Sequence, residues 1–563
     1  MEIQHIILLL VLGVMILVLI FYSERQYSLN NIKNKQVGDG QYGTACFASE
    51  REIKQSYKFV HFDVKNWRKG INLPSVQGTV LGHRRIGNKH YALVDEEDSH
   101  TLMIGAAGVG KTAYFLYPNI EYACASGMSF LNTDTKGDIY QNYGVIAQKY
   151  YGYNVAVIDL RNPLESDRFN MMHLVNRYMD LYLEDKSNIS AKAKSEKYAK
   201  IISKTIITAD EEGVSHGQNQ YFYDTAESLL TSLILILAEF GEKDARHIVS
   251  VCKMMQDLIQ VNPITKTMRI KELINSLPIT HKARWYAGPA LNVSDASMLS
   301  TLSTALSKLN TFIDSELEQA LCFNTDIDAE KFCNEKCAIF VILPEEDPVK
   351  YFLVSLIIQQ LYREILVVAS EKPKNKLERR VMFYLDEIGT IPKIESAEMM
   401  FSASRSRNLL IVAIIQSIAQ LSKNYGDNGA EIIIDNCKNS IFGGFAPHSK
   451  TADVLSENLG YQTILTGTVS RGNNSNSQSL QMSERRLMTT DELKTMEKGT
   501  FIVTKTGTKV MKTKLLLYVD WGIKFFDEVF KKRNEIKDIV YVDTEQIVKK
   551  VISISDKGRF KVE

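Results

Sequence analysis

Apolar residues change their period several times along this chain, and each change marks a segment. Residues Ile6 to Tyr22, IILLLVLGVMILVLIFY, are continuously apolar and uncharged. At 1.5 Å rise per residue such a helix spans ~26 Å, enough to cross a bilayer core. Arg25, Lys33 and Lys35 follow it and no Lys or Arg precedes it, so the positive-inside rule puts the bulk of the chain in the cytoplasm. The run lacks the basic start and small-residue cleavage site of a secretory signal. Residues 1–24 therefore read as a single-pass anchor, and the expected location is the cell membrane. Residues 25–95 are polar with short apolar runs and several glycines, a leader of loops and short strands.

Beyond residue 96 short apolar runs alternate with helical patterns, the signature of a parallel α/β sheet. His100–Ile104, Gly127–Asp134 and Tyr153–Leu160 are the first strands. From 172 to 322 the strand pattern stops. Asp224–Phe240 and Ser294–Leu321 carry apolar residues at helical spacing, which predicts an all-α domain inserted into the sheet domain. Its Lys186–Lys204 stretch reads as a solvated helix face. Strands return at Ala338–Leu343, Val381–Leu385 and Leu409–Ile415, with a long apolar helix from Val349 to about Val368. These uninterrupted runs fit strands buried on both faces. The expected architecture is thus an α/β P-loop domain in two parts, 96–171 and 323–523, split by the all-α domain at 172–322. Residues 472–479, GNNSNSQS, read as a loop, and 524–563 as a charged, peripheral C-terminal tail.

Length and composition narrow the picture without naming a function. A chain of 563 residues needs more than one core. Lys+Arg number 67 against 66 Asp+Glu, so any nucleic-acid contact must be local rather than global. Of seven cysteines only Cys333 and Cys337 lie close together, with no second Cys or His pair beside them. They read as core thiols of a reduced protein, not as a zinc site.

The chemistry is concentrated in a few segments. Gly105, Ala106, Ala107, Gly108, Val109, Gly110, Lys111 and Thr112 spell GAAGVGKT, the full G-x-x-x-x-G-K-[ST] pattern, between an apolar strand and a helix. Such a loop turns backbone N–H groups onto phosphate oxygens; its lysine reaches the β- and γ-phosphates and its Thr ligates Mg²⁺. The cofactors expected are ATP and Mg²⁺. VMFYLDE (Val381–Glu387) ends an apolar strand in two carboxylates. Asp386 is the candidate Mg²⁺ ligand, and Glu387 the candidate base for the attacking water. Gln416 ends the strand IVAIIQ and is a candidate γ-phosphate sensor. Arg405 and Arg407, in SASRSRN, are candidate arginine fingers toward a neighbouring subunit. Asp134, Lys136 and Asp138 end another strand at the same sheet edge, where α/β folds bind ligands.

Taken in order, these segments resemble the TraG-like coupling ATPases of type IV secretion and conjugation, over about 500 residues. GQYGTACFASEREI resembles the family's leader, HTLMIGAAGVGKT its Walker A segment, and LDEIGTIPKI its Walker B segment. DTKGDIY and SDRFN resemble its next two strand ends, SMLSTLSTALS the end of its all-α domain, and IIQSIAQLSKNYG its glutamine motif. TADVLSENLG and RRLMTTDEL complete the set. The resemblance implies a RecA-like motor with an inserted all-α domain, assembled as a homo-hexamer. It implies an ATPase that couples single-stranded DNA with its relaxase, or effector proteins, to type IV secretion channel subunits. The family's finger lies eleven residues before the motif glutamine, which falls on Arg405. Many members have two membrane helices, where this sequence presents one. Two other readings stand beside this one: a protein-only secretion ATPase, and a double-stranded DNA translocase. The translocase usually ends in a winged helix, of which the final residues show no sign.

Overall fold

The computed structural model describes residues 12–16, 18, 41–208, 220–343, 350–394, 396–471, 476–528, 530 and 535–559. The apolar run Ile6–Tyr22 lies largely outside these residues. The described chain divides into two compact units: one of Tyr57–Ile104, Gly110–Ile441 and Leu515 onward, and a smaller one of the residues up to Ser56, Gly105–Val109 and Phe442–Lys514.

The larger unit opens with an antiparallel sheet of β1 (Lys58–His61), β2 (Thr79–Ile86) and β3 (Lys89–Asp95), in the order β1-β3-β2. Next come β4 (Thr101–Ile104), the helix α1 (Tyr117–Ser126), β5 (Ser129–Asp134), the helix α2 (Asp138–Tyr151) and β6 (Asn154–Asp159). After a helical stretch follow β7 (Cys337–Ile342), β8 (Val381–Leu385), β9 (Leu409–Ile415) and β10 (Asn439–Phe442). These strands pair in the order β10-β4-β9-β8-β5-β7-β6. The registered pairs from β4 to β6 are all parallel, for example Ile104 with Ile415 and Leu385 with Ala413. Every residue of β4, β5, β7, β8 and β9 is buried. Helices cover both faces of a parallel sheet, so its strands read as continuous rather than alternating apolar runs. All parallel strands point one way, so the chain leaves each at one common edge of the sheet.

Between β6 and β7 the described residues are mostly helical. Its longer helices are His173–Glu184, Ile189–Ile207, α3 (Gln220–Phe240), Ile248–Leu258 and Asp295–Leu309. After β7 comes α4 (Tyr351–Glu371). Both α3 and α4 are long and apolar enough to cross a membrane, yet most of each is buried in the protein. Their all-round apolarity is that of a core helix.

From Leu515 onward the chain is a strap laid across the larger unit, although its part beyond 523 was expected to be peripheral. Its aromatic residues and backbone groups dock one after another. The Tyr518 N–H donates to the Ala113 carbonyl at 3.1 Å. Phe525 packs edge-on to Tyr117 and Tyr143, with centroids 4.9 and 5.5 Å away, and Phe526 stacks on Tyr150 at 5.3 Å. Further on, Gln319 and Lys537 exchange two hydrogen bonds, and the Val540 carbonyl meets His247 Nε2 at 3.0 Å. The strap ends in α5 (Thr544–Arg559), whose Ile547 and Val551 are buried. It thus runs from the helix after the glycine-rich loop to the helical stretch.

Arg68 ties the first sheet to the same region. Its Nε and Nη2 hold both oxygens of Glu121 on α1, at 2.9 and 2.6 Å, and its Nη1 donates to the Lys524 carbonyl at 2.7 Å. Tyr151 Oη donates to Glu121 as well, at 2.5 Å. Arg68 and Glu121 are almost wholly buried, so the pair must stay complete.

In the smaller unit β11 (Tyr461–Arg471) and β12 (Asn476–Arg486) form a long antiparallel hairpin. The expected loop at 472–479 is therefore shorter: strand resumes at Asn476, and 472–475 lie outside the described residues. β13 (Thr500–Lys505) pairs antiparallel with β14 (Met511–Lys514). Leu455, Leu459, Leu487, Met488, Leu493 and Ile502 make the core. RRLMTTDEL is a helix start: Glu492 accepts from the Thr489 N–H at 3.0 Å and from Arg485 at 2.5 Å. Thr44 bridges Gln462 of β11, and a Cβ on the neighbouring Gly43 would lie 2.2 Å from the Tyr461 carbonyl oxygen.

Replacing Arg68 by alanine leaves the Glu121 charge buried and unpaired. Arg68→Ala is expected to destabilise the protein by ~3–5 kcal/mol. Arg68→Met combined with Glu121→Gln should cost clearly less, because no charge stays behind. Urea unfolding followed by near-UV circular dichroism compares the two.

Candidate functional site

β4 ends at Ile104 and the chain turns through Gly105–Gly110. Gly108 and Gly110 make the turn in the left-handed region, with φ of +76° and +88°. Ala107 and Gly108 at the crest are exposed. Within the smaller unit the Ala106 N–H donates to the Gly444 carbonyl at 3.0 Å. A Cβ on Gly444 would come 2.4 Å from Val109 Cγ1, so Gly444 keeps the seat of the loop open. Sequence reading missed this residue because it lies far along the chain, in none of the motifs.

The helix after the loop starts as a π turn, Lys111–Leu116, closed by the Tyr117 N–H on the Thr112 carbonyl. Only then does it become α1. Pro118 falls in the first turn of α1. Such wide turns recur at functional sites.

Lys111 is 9% exposed. Burial pushes the pKa of its ammonium down, Asp386 and Glu387 oppose that shift, and Lys136 adds to it. Asp386 follows β8, and its carbonyl is held by Thr133 Oγ1 at 2.9 Å. Its carboxyl is pushed up to about 7, first by burial and then by the adjoining Glu387 charge, against the pull of Lys111. Glu387 has a left-handed backbone at φ +55°, uncommon for a residue with a Cβ and frequent at working sites. The turn is closed by the Thr390 N–H on the Glu387 carbonyl at 2.8 Å. Gly389 is needed there: a Cβ on it would lie 2.8 Å from Gln420 Cβ. Gln416, just past β9, donates from Nε2 to Glu387 Oε1 at 3.2 Å.

One sheet edge thus gathers Lys111, half-buried Thr112, Asp386, Glu387 and Gln416. Asp134 sits near them but is occupied. It accepts from the N–H groups of Lys136, Gly137 and Tyr140 at 3.2, 2.8 and 3.0 Å, capping α2. Asp138 accepts from Tyr117 Oη at 3.3 Å. Arg405 stands apart. It lies in the turn Ser404–Arg407 ahead of β9, at the other end of the sheet, ~20 Å from the Lys111 edge at about 3.3 Å per residue. Its Nε has no hydrogen-bond partner among the described residues. Arg407 donates to the Asn375 carbonyl at 3.1 Å.

The residues present fit a magnesium nucleotide. A glycine-turned loop with an exposed crest leads to a buried ammonium, a hydroxyl and two carboxylates, and one of these carboxylates is kept basic by burial. A parallel α/β sheet with this loop at its strand ends defines a P-loop protein of the RecA-like class. A family model described as type IV secretory system conjugative DNA transfer matches residues 50–545, and the chain belongs to that family. It is similar to two type IV secretion system-coupling proteins named VirD4. The one from Bartonella quintana is 22% identical over 320 residues, 56% of this chain and 46% of the relative. The one from Bartonella henselae is 24% identical over 348 residues, 60% of this chain and 50% of the relative. The chain thus spans about half the length of the curated relatives it matches. Among solved structures it is similar to the bacterial conjugative coupling protein TrwBdeltaN70, with TM-score 0.55 and 16% identity over 89% of this chain and 99% of that one. TrwB in complex with ADP and Mg²⁺ gives TM-score 0.56 and 15% identity, over 88% and 96%. At these identities the likeness is one of fold.

The Asp386 carboxyl yields a pH test. Its folded pKa of about 7 lies above the ordinary carboxylate value, so the folded state holds the proton more tightly. Stability is then lost as pH rises from about 4 to about 7, and the full cost stands above that window. Asp386→Asn should therefore stabilise the nucleotide-free protein at pH 8, by on the order of 1–4 kcal/mol, and much less at pH 4.5. Melting curves at the two pH values check this.

Proposed function

We propose that this chain is a membrane-anchored ATPase that couples a substrate to a type IV secretion channel and drives its transfer by hydrolysing ATP. The substrate is single-stranded DNA with its attached relaxase, or an effector protein. The reading is carried by one observation: Lys111, Asp386, Glu387 and Gln416 converge at one sheet edge in a chain of the conjugative DNA transfer family. The anchor is the apolar run Ile6–Tyr22, with the inserted helices of 172–322 on the cytoplasmic side.

In this reading the loop N–H groups of Gly105–Gly110 and the Lys111 ammonium bind the phosphates. Thr112 and Asp386 would hold Mg²⁺. The ion neutralises phosphate charge when bound. Glu387 takes the proton of the attacking water. The Gln416 amide holds one of its oxygens, leaving the other to act as base. Gln416 joins that base to β9 and so carries the state of the γ-phosphate into the sheet.

The Arg405 end of the sheet is too far from its own Lys111 to act there. In a homo-hexameric ring Arg405 meets the phosphates of the neighbouring subunit. A finger of this kind is worth roughly 10³–10⁵ in rate in related NTPases.

Lys111→Ala should abolish hydrolysis with unchanged circular dichroism. Glu387→Gln should retain ATP and turn it over at least a hundredfold more slowly. Normal turnover in either variant would sink its assignment. Arg405→Ala should bind ATP and hydrolyse it poorly, and mixing it with Lys111→Ala subunits should restore activity. At some interfaces the Lys111→Ala subunit then presents its own Arg405 to an intact loop. A mixture of proven hetero-oligomers no more active than its parts would end the trans reading.

A further inference from the structure

His100 is fully buried at the head of β4, the strand that leads to the glycine-rich loop. The Ile411 N–H of β9 donates to its Nδ1 at 2.9 Å. β4 and β9 pair from Thr101 and Val412 onward, so the ring replaces the strand partner that Ile411 lacks below that point. An Nδ1 that accepts a hydrogen bond carries no hydrogen, so the proton of the neutral ring is on Nε2. Nε2 faces the turn that carries Arg405: Ser404 Oγ is 3.3 Å away, and the Phe401 backbone interacts with the ring from the same side. The Phe401 ring packs edge-on at 5.4 Å. Arg405 is close enough that its charge, after burial, helps hold the imidazole neutral, at about 3. The His100 carbonyl accepts from the Asn439 N–H at 3.2 Å. One ring therefore bolts the Ser404–Arg407 turn to the far end of the strand that carries the nucleotide loop.

We propose that His100 is the positioning residue for Arg405: through Nε2 it fixes the turn so that the guanidinium is presented to the neighbouring subunit's nucleotide. This rests on the trans role of Arg405. A bare structural role for His100 would be served by its Nδ1 contact with β9, and the two faces of the ring can be tested apart. Glutamine reaches the Nε2 position and can donate to the turn. Asparagine reaches only the Nδ1 position and can accept from Ile411.

The experiment compares full-length His100→Leu, His100→Gln and His100→Asn for ATP turnover, nucleotide binding and thermal unfolding. His100→Leu should lose at least tenfold in kcat with KM changed less than twofold. His100→Gln should recover most of that loss, and His100→Asn little of it. Combined with Arg405→Ala, His100→Leu should add less than a twofold further loss. Mixed with Lys111→Ala subunits, it should regain activity as Arg405→Ala does. Where His100→Leu does not fold, the contrast between Gln and Asn decides. Rescue by Asn rather than Gln, or a full tenfold loss on top of Arg405→Ala, would overturn the positioning role and leave the Arg405 reading intact. Wild-type turnover by Arg405→Ala itself would overturn both.

Discussion

Lys111 sets the terms on which the larger unit is built. Its ammonium is carried on the first turn of a helix, at the end of a sheet whose inner strands are apolar on both faces. Left alone there, it would lose its proton or stay in water. Asp386 and Glu387 balance it from the end of β8, and burial, with the adjoining Glu387 charge, makes Asp386 hold its proton to an unusual pH. The turn that carries them needs the left-handed backbone of Glu387 and the side-chain-free position of Gly389, where a Cβ would meet Gln420. The Gln416 amide on Glu387 extends this local balance to the next strand. Pre-organised charge of this kind costs stability and is sensible only where a ligand of opposite charge completes it.

The sheet separates two kinds of position. Residues at the strand ends beside Lys111 belong to the subunit's own loop. Residues at the strand starts, Arg405 and His100 among them, face the other way along the same strands. β4 and β9 are rigid, buried and registered in parallel, so a change at one end cannot dissipate in loose packing on its way to the other. The connection between opposite edges is therefore only two strands long.

Much of this was legible in the sequence, for a definite reason. The strands of a covered parallel sheet are short, continuous apolar runs, and those at Thr101, Val381 and Leu409 stand out between polar stretches. The loop residues 105–112 are contiguous, so their meaning survives without a fold. Asp386, Glu387 and Gln416 were legible because strand ends are where a parallel sheet places its ligands. What failed to show was held by single contacts across long separations. Gly444 matters because of one valine methyl. The role of Asp134 as a cap on α2 depends on three backbone N–H groups that no side-chain pattern displays. The strap was hidden by its own composition: its charged residues suggested solvent, while Tyr518, Phe525 and Phe526 are too widely spaced to form a periodic signal. Apolarity alone does not place α3 and α4 either: both are membrane-like in length and composition and serve as core helices.

That strap has a consequence for how the protein comes into being. Ala113 emerges from the ribosome early, but the Tyr518 N–H that meets its carbonyl follows only after about four hundred further residues. At ~5–20 residues per second this is a delay of ~20–80 s. Until then the faces of Tyr117, Tyr143 and Tyr150 lack their aromatic cover. A product that ended between residues 416 and 515 would carry the loop, Asp386, Glu387 and Gln416 on an unfinished surface. Late arrival of the strap therefore separates finished chains from truncated ones by what remains uncovered.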